Sequence, residues 1–159
     1  MSGIAVVPFR RELAGDFRRL NLDWIERLFA VEKADRKVLD DPEAAIVVKG
    51  GMIFFALDGE AVVGTAAIIR FSDVRFELAK MAVAGTHQRR GIGELLGHAC
   101  KDWATGKGVQ TVFLETNSRL ANAIRLYERL GFRLAVDPHP SDYARSDVYM
   151  ELPINQSGD

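Results

Sequence analysis

The sequence contains little of what marks a secreted, membrane-spanning or nucleic-acid-binding protein. Its single cysteine, Cys100, cannot form a disulfide within the chain. No apolar run approaches the roughly 20 residues that cross a bilayer, and nothing near Met1 has the basic start and apolar core of a signal peptide. The formal net charge of -1 gives no overall attraction to nucleic acid or to an anionic membrane. We therefore expect a cytoplasmic protein with neither kind of partner.

Metal-ligand spacing is absent as well. The three histidines, His87, His98 and His139, have no carboxylate or cysteine partner at the spacing of a metal site, so we expect no metal. The 159 residues, 48% of them hydrophobic, fit one globular domain. We predict a single domain over residues 1–153 and a flexible tail at 154–159.

Hydrophobic periodicity predicts the order of the helices and strands. An early helical stretch should break near Asn21 into two helices, and later helices are predicted over 92–103 and 120–130. Predicted strands cover 4–8, 52–57, 61–71, 76–83, 111–116, 132–136 and 147–152. The turn at Asp58-Gly59 makes the second and third strands antiparallel neighbours. These elements predict an α/β (α+β) fold whose mixed, largely antiparallel sheet has about six to seven strands, with helices on both faces.

The segment Gln88-Arg89-Arg90-Gly91-Ile92-Gly93 joins the fourth predicted strand to the most regular predicted helix. Glycines let the backbone curl close to a ligand, so that N–H groups and the positive end of the helix dipole can face an anion. Two arginines beside such a loop add charge-assisted donors. The segment therefore favours a ligand that carries a diphosphate.

Other phosphate-binding loops fit less well. No stretch supplies the Walker pattern G-x-x-x-x-G-K-[ST]. A dinucleotide fingerprint would use Glu115, at the end of the next strand, to bind a ribose, but Leu96 replaces its third glycine. The strands before the loop also look like hairpin partners rather than parts of a parallel sheet.

The loop resembles the Q/R-x-x-G-x-G/A pyrophosphate loop of the GCN5-related N-acetyltransferase (GNAT) family. The segment LYERLGF at 126–132 resembles the helix-to-strand signature of that family, and ELAKMAV at 77–83 resembles the strand before the loop. The resemblance covers roughly residues 52–152. It implies a GNAT-like sheet with splayed central strands, and acetyl-CoA as the cosubstrate.

What the resemblance implies about the site can be written residue by residue. The pyrophosphate would lie at the loop and the pantetheine arm along the preceding strand. The residues expected to bind acetyl-CoA are Met81, Ala82, Val83, Gln88, Arg89, Arg90, Gly91, Ile92, Gly93, Glu94 and Asn117. Many family members have an asparagine seven residues before the catalytic tyrosine, where this chain has Leu120. Asn117 and Ser118 could substitute or could cap the helix, whereas Asn122 is displaced by two positions.

Catalysis would involve a tyrosine and a carboxylate. The resemblance places Tyr127 beside the sulfur as a proton donor, although its position on an apolar stripe also fits a core aromatic. Glu77 and Glu115 are the candidate bases, with Glu77 slightly preferred.

The acceptor would lie between residues 24–36 and the loop 137–147, with Tyr143 and Arg145 as contacts. Glu32 and Asp35 could attract a cationic amine.

The sequence thus predicts an acetyl-CoA-dependent N-acetyltransferase acting by direct attack of a primary amine, on a small molecule or a protein. A non-catalytic acyl-CoA-binding module and a dinucleotide-dependent oxidoreductase remain as alternatives. The sequence leaves a homodimer open and does not identify the acceptor.

Overall fold

The structure, a computed structural model, describes residues 3–154. One sheet contains seven strands in the order β1-β2-β3-β4-β5-β7-β6. The strands are β1 Ile4–Pro8, β2 Met52–Asp58, β3 Ala61–Arg70, β4 Arg75–Val83, β5 Thr111–Thr116, β6 Arg133–Leu134 and β7 Val148–Pro153. The α-helices are α1 Ala14–Leu28, α2 Lys33–Leu39, α3 Ile92–Gly106 and α4 Ala121–Leu130. Short 3-10 segments, Arg11–Leu13 and Gly85–His87, and one π-helical segment, Glu43–Val47, complete the chain.

The sheet is mixed, as predicted. Strands β1 to β4 form an antiparallel meander, β4 and β5 are parallel, and β7 pairs antiparallel with both β5 and β6. The predicted hairpin between the second and third strands is confirmed. Because a dinucleotide fold requires parallel strands before its glycine loop, this topology argues further against the oxidoreductase alternative.

Helices cover both faces of the sheet, again as predicted. On one face α1 contributes Phe17 and Ile25 to an apolar core that also contains Phe55 of β2. On the other face Leu96 of α3 and Leu130 of α4 pack into a second core. The functional elements therefore lie on a sheet that is held from both sides.

The predicted break near Asn21 is wrong, because α1 is continuous through that residue. The buried Asn21 side chain donates to the carbonyl of Phe17 at 3.0 Å and accepts from the Trp24 indole at 3.0 Å. These local bonds satisfy its amide inside the helix, where an asparagine otherwise favours a turn. The first helical stretch ends at Leu28 instead, and α2 follows.

Helix α3 begins at the predicted residue and extends three residues beyond the predicted end. Leu95 is 42% exposed, whereas Leu96 is buried. Gly97 permits close approach to α4, since a Cβ there would lie 2.4 Å from Leu130. Cys100 is buried in the core, and burial raises the pKa of its thiol.

The end of α4 also follows the prediction. Gly131 adopts a left-handed φ of 108°, and the amide of Phe132 bonds back to the carbonyl of Tyr127 at 3.0 Å. The strand predicted over 132–136 is much shorter, because only Arg133 and Leu134 pair with β7.

At the end of the described chain, Ile154 is buried and bonds to the carbonyl of Gln110 at 2.8 Å, so the predicted tail does not start there. Residues 155–159 of that tail lie outside the described residues. Within residues 3–154 no helix is long and apolar enough to cross a membrane.

Candidate active site

The two central strands β4 and β5 separate partway along their length. Only three parallel pairs join them, the last between Glu77 and Phe113. Beyond this pair, β4 continues to Val83 against β3, and β5 continues to Thr116 against β7. The predicted splay is therefore present, and it opens a gap in the middle of the sheet.

A bulge in β4 sets which side chains face this gap. The β3 register shifts between Thr65 and Ala67, and Lys80 has a positive φ of 56°. Leu78 before the bulge and Met81 after it both contact the core beneath α3. An extra residue between them therefore leaves Glu77 and Lys80 lining a cleft on the sheet.

The glycine loop after β4 exposes the start of α3. Arg89 and Gly91 both have left-handed φ values, 64° and 77°, and the Gln88 side chain donates to the carbonyl of Val83 at 3.2 Å. Gly91 is the N-cap and makes no side-chain cap. The amides of the first helical turn are therefore left without helical partners, which is the arrangement that binds an anion.

The loop borders a groove of about 470 Å³. Nine predicted ligand-binding residues line it: Met81, Ala82, Val83, Gln88, Arg89, Gly91, Ile92, Gly93 and Glu94. Arg90 and Asn117 do not. A Cβ at Gly93 would lie 2.9 Å from Leu126, so this glycine lets α3 approach α4. Gly91, in contrast, is required by its φ angle.

Two groove residues were missed by the sequence reasoning. Arg125 and Arg129 of α4 line the groove opposite the glycine loop. Arg129 contacts Glu94 at 3.2 Å, and Arg125 bonds to Asn122. The i, i+4 spacing of the two arginines puts them on one helical face, and this was the signal available in the sequence.

A second cleft, of about 860 Å³, lies between α1, α2, the splayed strands and the loop before β7. It shares several lining residues with the groove: Met81, Ala82, Val83, Gln88, Asn122, Ala123 and Tyr127. The groove and the cleft therefore meet at Tyr127.

Tyr127 is positioned by α4 at this junction. Its ring packs edge-on to Phe132 at a centroid distance of 6.2 Å. Burial raises the pKa of its phenol to about 12, so the hydroxyl keeps its proton at neutral pH. This hydroxyl makes no hydrogen bond to another residue of the described range 3–154, and it remains available as a donor. The core position therefore does not conflict with the predicted donor role.

Both predicted carboxylates line the cleft. The pKa of Glu77 is raised to about 8, chiefly by burial and then by the charge of Glu115. Lys80 acts in the opposite direction, while Asp142 and Asp137 add to the increase. Glu115 differs, because its Oε1 accepts a hydrogen bond from Ser141 Oγ at 2.6 Å.

Asp35 does not face the acceptor as the sequence suggested. Its side chain is 0% exposed, with Lys80 at 2.6 Å and both guanidinium nitrogens of Arg145 at 2.6 and 2.8 Å. Burial alone would raise the pKa of this carboxyl, but these hydrogen bonds hold it well below its usual range. Glu32 is also engaged, accepting from the amide of Ala144 at 2.9 Å. The expectation that Asp35 attracts the amine is therefore wrong, whereas the same expectation for Glu32 stays a prediction.

Tyr143 and Arg145 belong to a cation-π cluster at the cleft. The Lys80 ammonium lies 4.4 Å from the Tyr143 ring centroid, and the Arg145 guanidinium lies 4.7 Å from it. Burial lowers the pKa of Lys80, although Asp35 partly offsets this effect. The ion cluster thus fixes the loop before β7 against α2 and the bulge of β4.

The turn before α4 uses its polar groups internally. Asn117 donates to the carbonyl of Arg145 at 2.7 Å and accepts from the amide of Arg119 at 2.8 Å. Ser118 bonds to Asp147, and neither residue caps α4, whose N-cap is Leu120. Asn117 lines the cleft, but its side chain also holds the loop before β7.

One grouping of potential metal ligands was not predicted from the sequence. Glu115, Asp137 and His139 bring ligand atoms within 4.8 Å of one another. The His139 ring stacks on Phe71 at 4.7 Å. The expected absence of a metal remains a prediction, because residues that are far apart in the sequence, such as these three, can still come together in the fold.

Sequence comparison identifies related proteins. The profile of the Acetyltransferase (GNAT) family matches residues 17–132. A protein of Escherichia coli (strain K12), ribosomal protein bS18-alanine N-acetyltransferase, is 30% identical over 136 residues, covering 83% of this chain and 82% of its own length. The uncharacterized N-acetyltransferase YvbK of Bacillus subtilis (strain 168) is 25% identical over 111 residues, covering 68% and 72% of the two chains.

Solved structures share the fold. An acetyltransferase of the GNAT family from Staphylococcus aureus Mu50 superposes with a TM-score of 0.86 at 18% identity, over 95% of this chain and 99% of that one. Salmonella typhimurium yncA, solved with its cofactor acetyl-CoA, gives a TM-score of 0.79 at 18% identity, over 99% and 98% of the two chains. At these identities the similarity establishes the architecture.

Proposed function

Since the chain belongs to the acetyltransferase (GNAT) family, it is an acetyl-CoA-dependent N-acetyltransferase, and we propose that a primary amine attacks the thioester directly in the cleft. The observation that carries the proposal is the junction at Tyr127. One cavity leads from it to the unpaired amides of α3, and the other holds Glu77 and Glu115. A long anionic thioester and an amine would therefore meet there from opposite sides.

Acetyl-CoA would lie along the groove. Its phosphates would accept hydrogen bonds from the amides of residues 91–94 and ion pairs from Arg89, with Arg125 and Arg129 as further donors. Its pantetheine arm would follow β4 through Met81, Ala82 and Val83, into the gap that β5 leaves open. Arg90 and Asn117 remain predicted ligands whose side chains would have to turn toward the cofactor.

The chemistry requires a neutral amine. An ordinary amine with a pKa near 10.4 is neutral in only about one part in a thousand near pH 7.4, a deficit of about 4 kcal/mol. A carboxylate with a pKa of about 8 suits the removal of that proton, because the best general base titrates near the working pH. We assign this role to Glu77, with Glu115 as the second candidate.

The bond changes then follow. The amine nitrogen forms a bond to the thioester carbon, the carbon–sulfur bond breaks, and a proton goes to the departing sulfur. Transfer of the Tyr127 proton to a thiolate with a pKa near 8.5 is uphill, since the phenol pKa is about 12. Tyr127 therefore acts mainly by donating a hydrogen bond to the developing negative charge, and the proton taken from the amine can complete the thiol.

The proposal also concerns the class of amine that accepts the acetyl group. Because a relative is named for the acetylation of an alanine of ribosomal protein bS18, a peptide α-amine should be tested first, alongside small-molecule amines. A cytoplasmic location and a homodimer remain predictions that accompany this function.

The proposal is tested by release of coenzyme A from acetyl-CoA over a panel of peptides, amino acids and polyamines. We expect amine-dependent release, with the acetyl group found on nitrogen by mass spectrometry. Calorimetry with acetyl-CoA provides a separate measure of cofactor binding. Binding without release for any amine would favour the non-catalytic module, and absence of binding would overturn the whole assignment.

A further inference from the structure

Charged groups of both signs line the acceptor cleft. Glu77, Glu115 and Asp142 are among the acidic ones, and the last two raise the pKa of Glu77. Lys33 and Lys37 of α2 line the same cleft. The two lysines make part of its wall basic.

The basic region is not neutralised by the protein. Within residues 3–154, neither Lys33 nor Lys37 forms a salt bridge or a side-chain hydrogen bond, and both are exposed. The other cations of the cleft have partners within the protein. Lys80 and Arg145 pair with Asp35, and Arg27 lies 3.8 Å from Asp23. Arg119 donates to the carbonyl of Leu28 at 3.2 Å and lies over the Phe29 ring. The two lysines are therefore available to a ligand.

Their arrangement is locally unfavourable. Lys33 and Lys37 stand at i, i+4 on α2, where two like charges repel each other. The same spacing allows both ammonium groups to approach one anion. A negative group in the cleft would remove the repulsion.

We propose, on the basis of the proposed function, that the natural acceptor carries a carboxylate in addition to its primary amine. Its amine is received near Glu77 and Tyr127, while its carboxylate lies against Lys33 and Lys37. Acidic peptides and small amino acids share this chemistry. A polyamine lacks the anion and should be a poor acceptor.

Two matched acceptor pairs test the proposal. The first pair consists of two C-terminally amidated tetrapeptides that begin with alanine. One has two glutamates after the alanine, and the other has two glutamines in their place. The second is 5-aminopentanoate and 5-aminopentanamide, in which the amine is distant from the group that changes. In the preferred pair we expect kcat/KM to be about three- to twenty-fold higher for the anionic member, as two partly exposed ion pairs allow. The preference should shrink at 0.5 M salt.

Lysine substitutions test whether Lys33 and Lys37 cause the preference for the anionic acceptor. The double substitution Lys33→Ala with Lys37→Ala should bring the ratio within each pair close to one. Lys33→Glu with Lys37→Glu should invert it. Lys49→Ala is the matched control, since Lys49 is an exposed lysine that does not line the cleft. Its ratio should equal that of the wild type.

The pairs also separate the two acceptor sources. Discrimination in the peptide pair alone indicates an acidic peptide, and discrimination in the small pair alone indicates an amino acid. A wild-type ratio of one, or a ratio unchanged by the lysine substitutions, overturns the proposal while leaving the acetyltransferase function intact. If no pair is acetylated, calorimetry of the same compounds with the coenzyme A-bound protein measures the preference without turnover, and equal affinities overturn it.

Discussion

Replacing Glu77 by glutamine tests stability and catalysis together. In the folded protein the pKa of Glu77 is raised from 4.5 to about 8. A shift of that size corresponds to about 5 kcal/mol, and access of water to the cleft reduces it to about 2 to 3 kcal/mol. This energy measures how strongly the fold disfavours the ionised carboxylate.

The sign follows from linkage. Because the folded pKa lies above the unfolded one, the stability linked to protonated Glu77 is fully present below about pH 4.5 and is lost as the pH rises to about 8. Glutamine keeps the shape but cannot ionise. Glu77→Gln should therefore change stability little at pH 5 and should exceed the wild type by about 2 to 3 kcal/mol at pH 9.

Urea unfolding at the two pH values measures this difference. The same variant should lower kcat by about 10² to 10⁴-fold and remove the limb of the pH–rate profile near pH 8. Glu115→Gln is the companion variant. It should shift the limb to lower pH, because the charge of Glu115 raises the pKa of Glu77.

Equal stability differences at pH 5 and pH 9 would refute a raised pKa for Glu77. If the limb persists in Glu77→Gln and disappears in Glu115→Gln, the base is Glu115 instead. Unchanged kcat in both variants would leave proton removal to water.

Three further predictions concern the groove and the ion cluster. Tyr127→Phe should lower kcat by about 10 to 10²-fold in steady-state assays, as expected for a lost hydrogen bond to a charged group, with nearly unchanged acetyl-CoA affinity by calorimetry. Gly93→Ala should weaken acetyl-CoA binding measured by calorimetry, because the new Cβ would lie only 2.9 Å from Leu126 and would displace that side chain. Gly106→Ala is the control and should leave binding unchanged, because a Cβ there meets open space. Asp35→Asn should lower the free energy of unfolding, measured in urea, by about 3 to 5 kcal/mol. Asp73→Asn, at an exposed position, should change it little.

The sequence was most informative where local patterns determine the structure. Hydrophobic periodicity predicted where the strands lie along the chain, and the glycines of segment 88–93 predicted the loop before α3. Asn21 shows where the same reasoning fails, because bonds to Phe17 and Trp24 keep a turn-favouring residue helical. The short β6 is a similar case, since its length depends on pairing with β7.

The site was predicted in the same uneven way. The resemblance predicted the position of Tyr127, and the chemistry of the glycine loop predicted an anion site; Tyr127 and most of the loop line the two cavities. Glu77 was a candidate base and also lines the cleft. Arg129 was missed although its i, i+4 spacing from Arg125 is visible in the sequence. The cluster around Asp35 depends on contacts between residues far apart in sequence, which no local pattern encodes.

The cluster around Asp35 bears on the proposed role of Glu77 as a base. Lys80 is the cation that lowers the pKa of Glu77, and an unpaired ammonium nearby would hold that carboxylate ionised and weakly basic. Asp35 binds Lys80 at 2.6 Å and so offsets much of its field. Arg145 in turn stabilises the ionised form of Asp35, so that this buried carboxylate keeps the negative charge that neutralises Lys80. A buried ion cluster beneath the cleft thereby favours a proton acceptor that titrates near neutral pH.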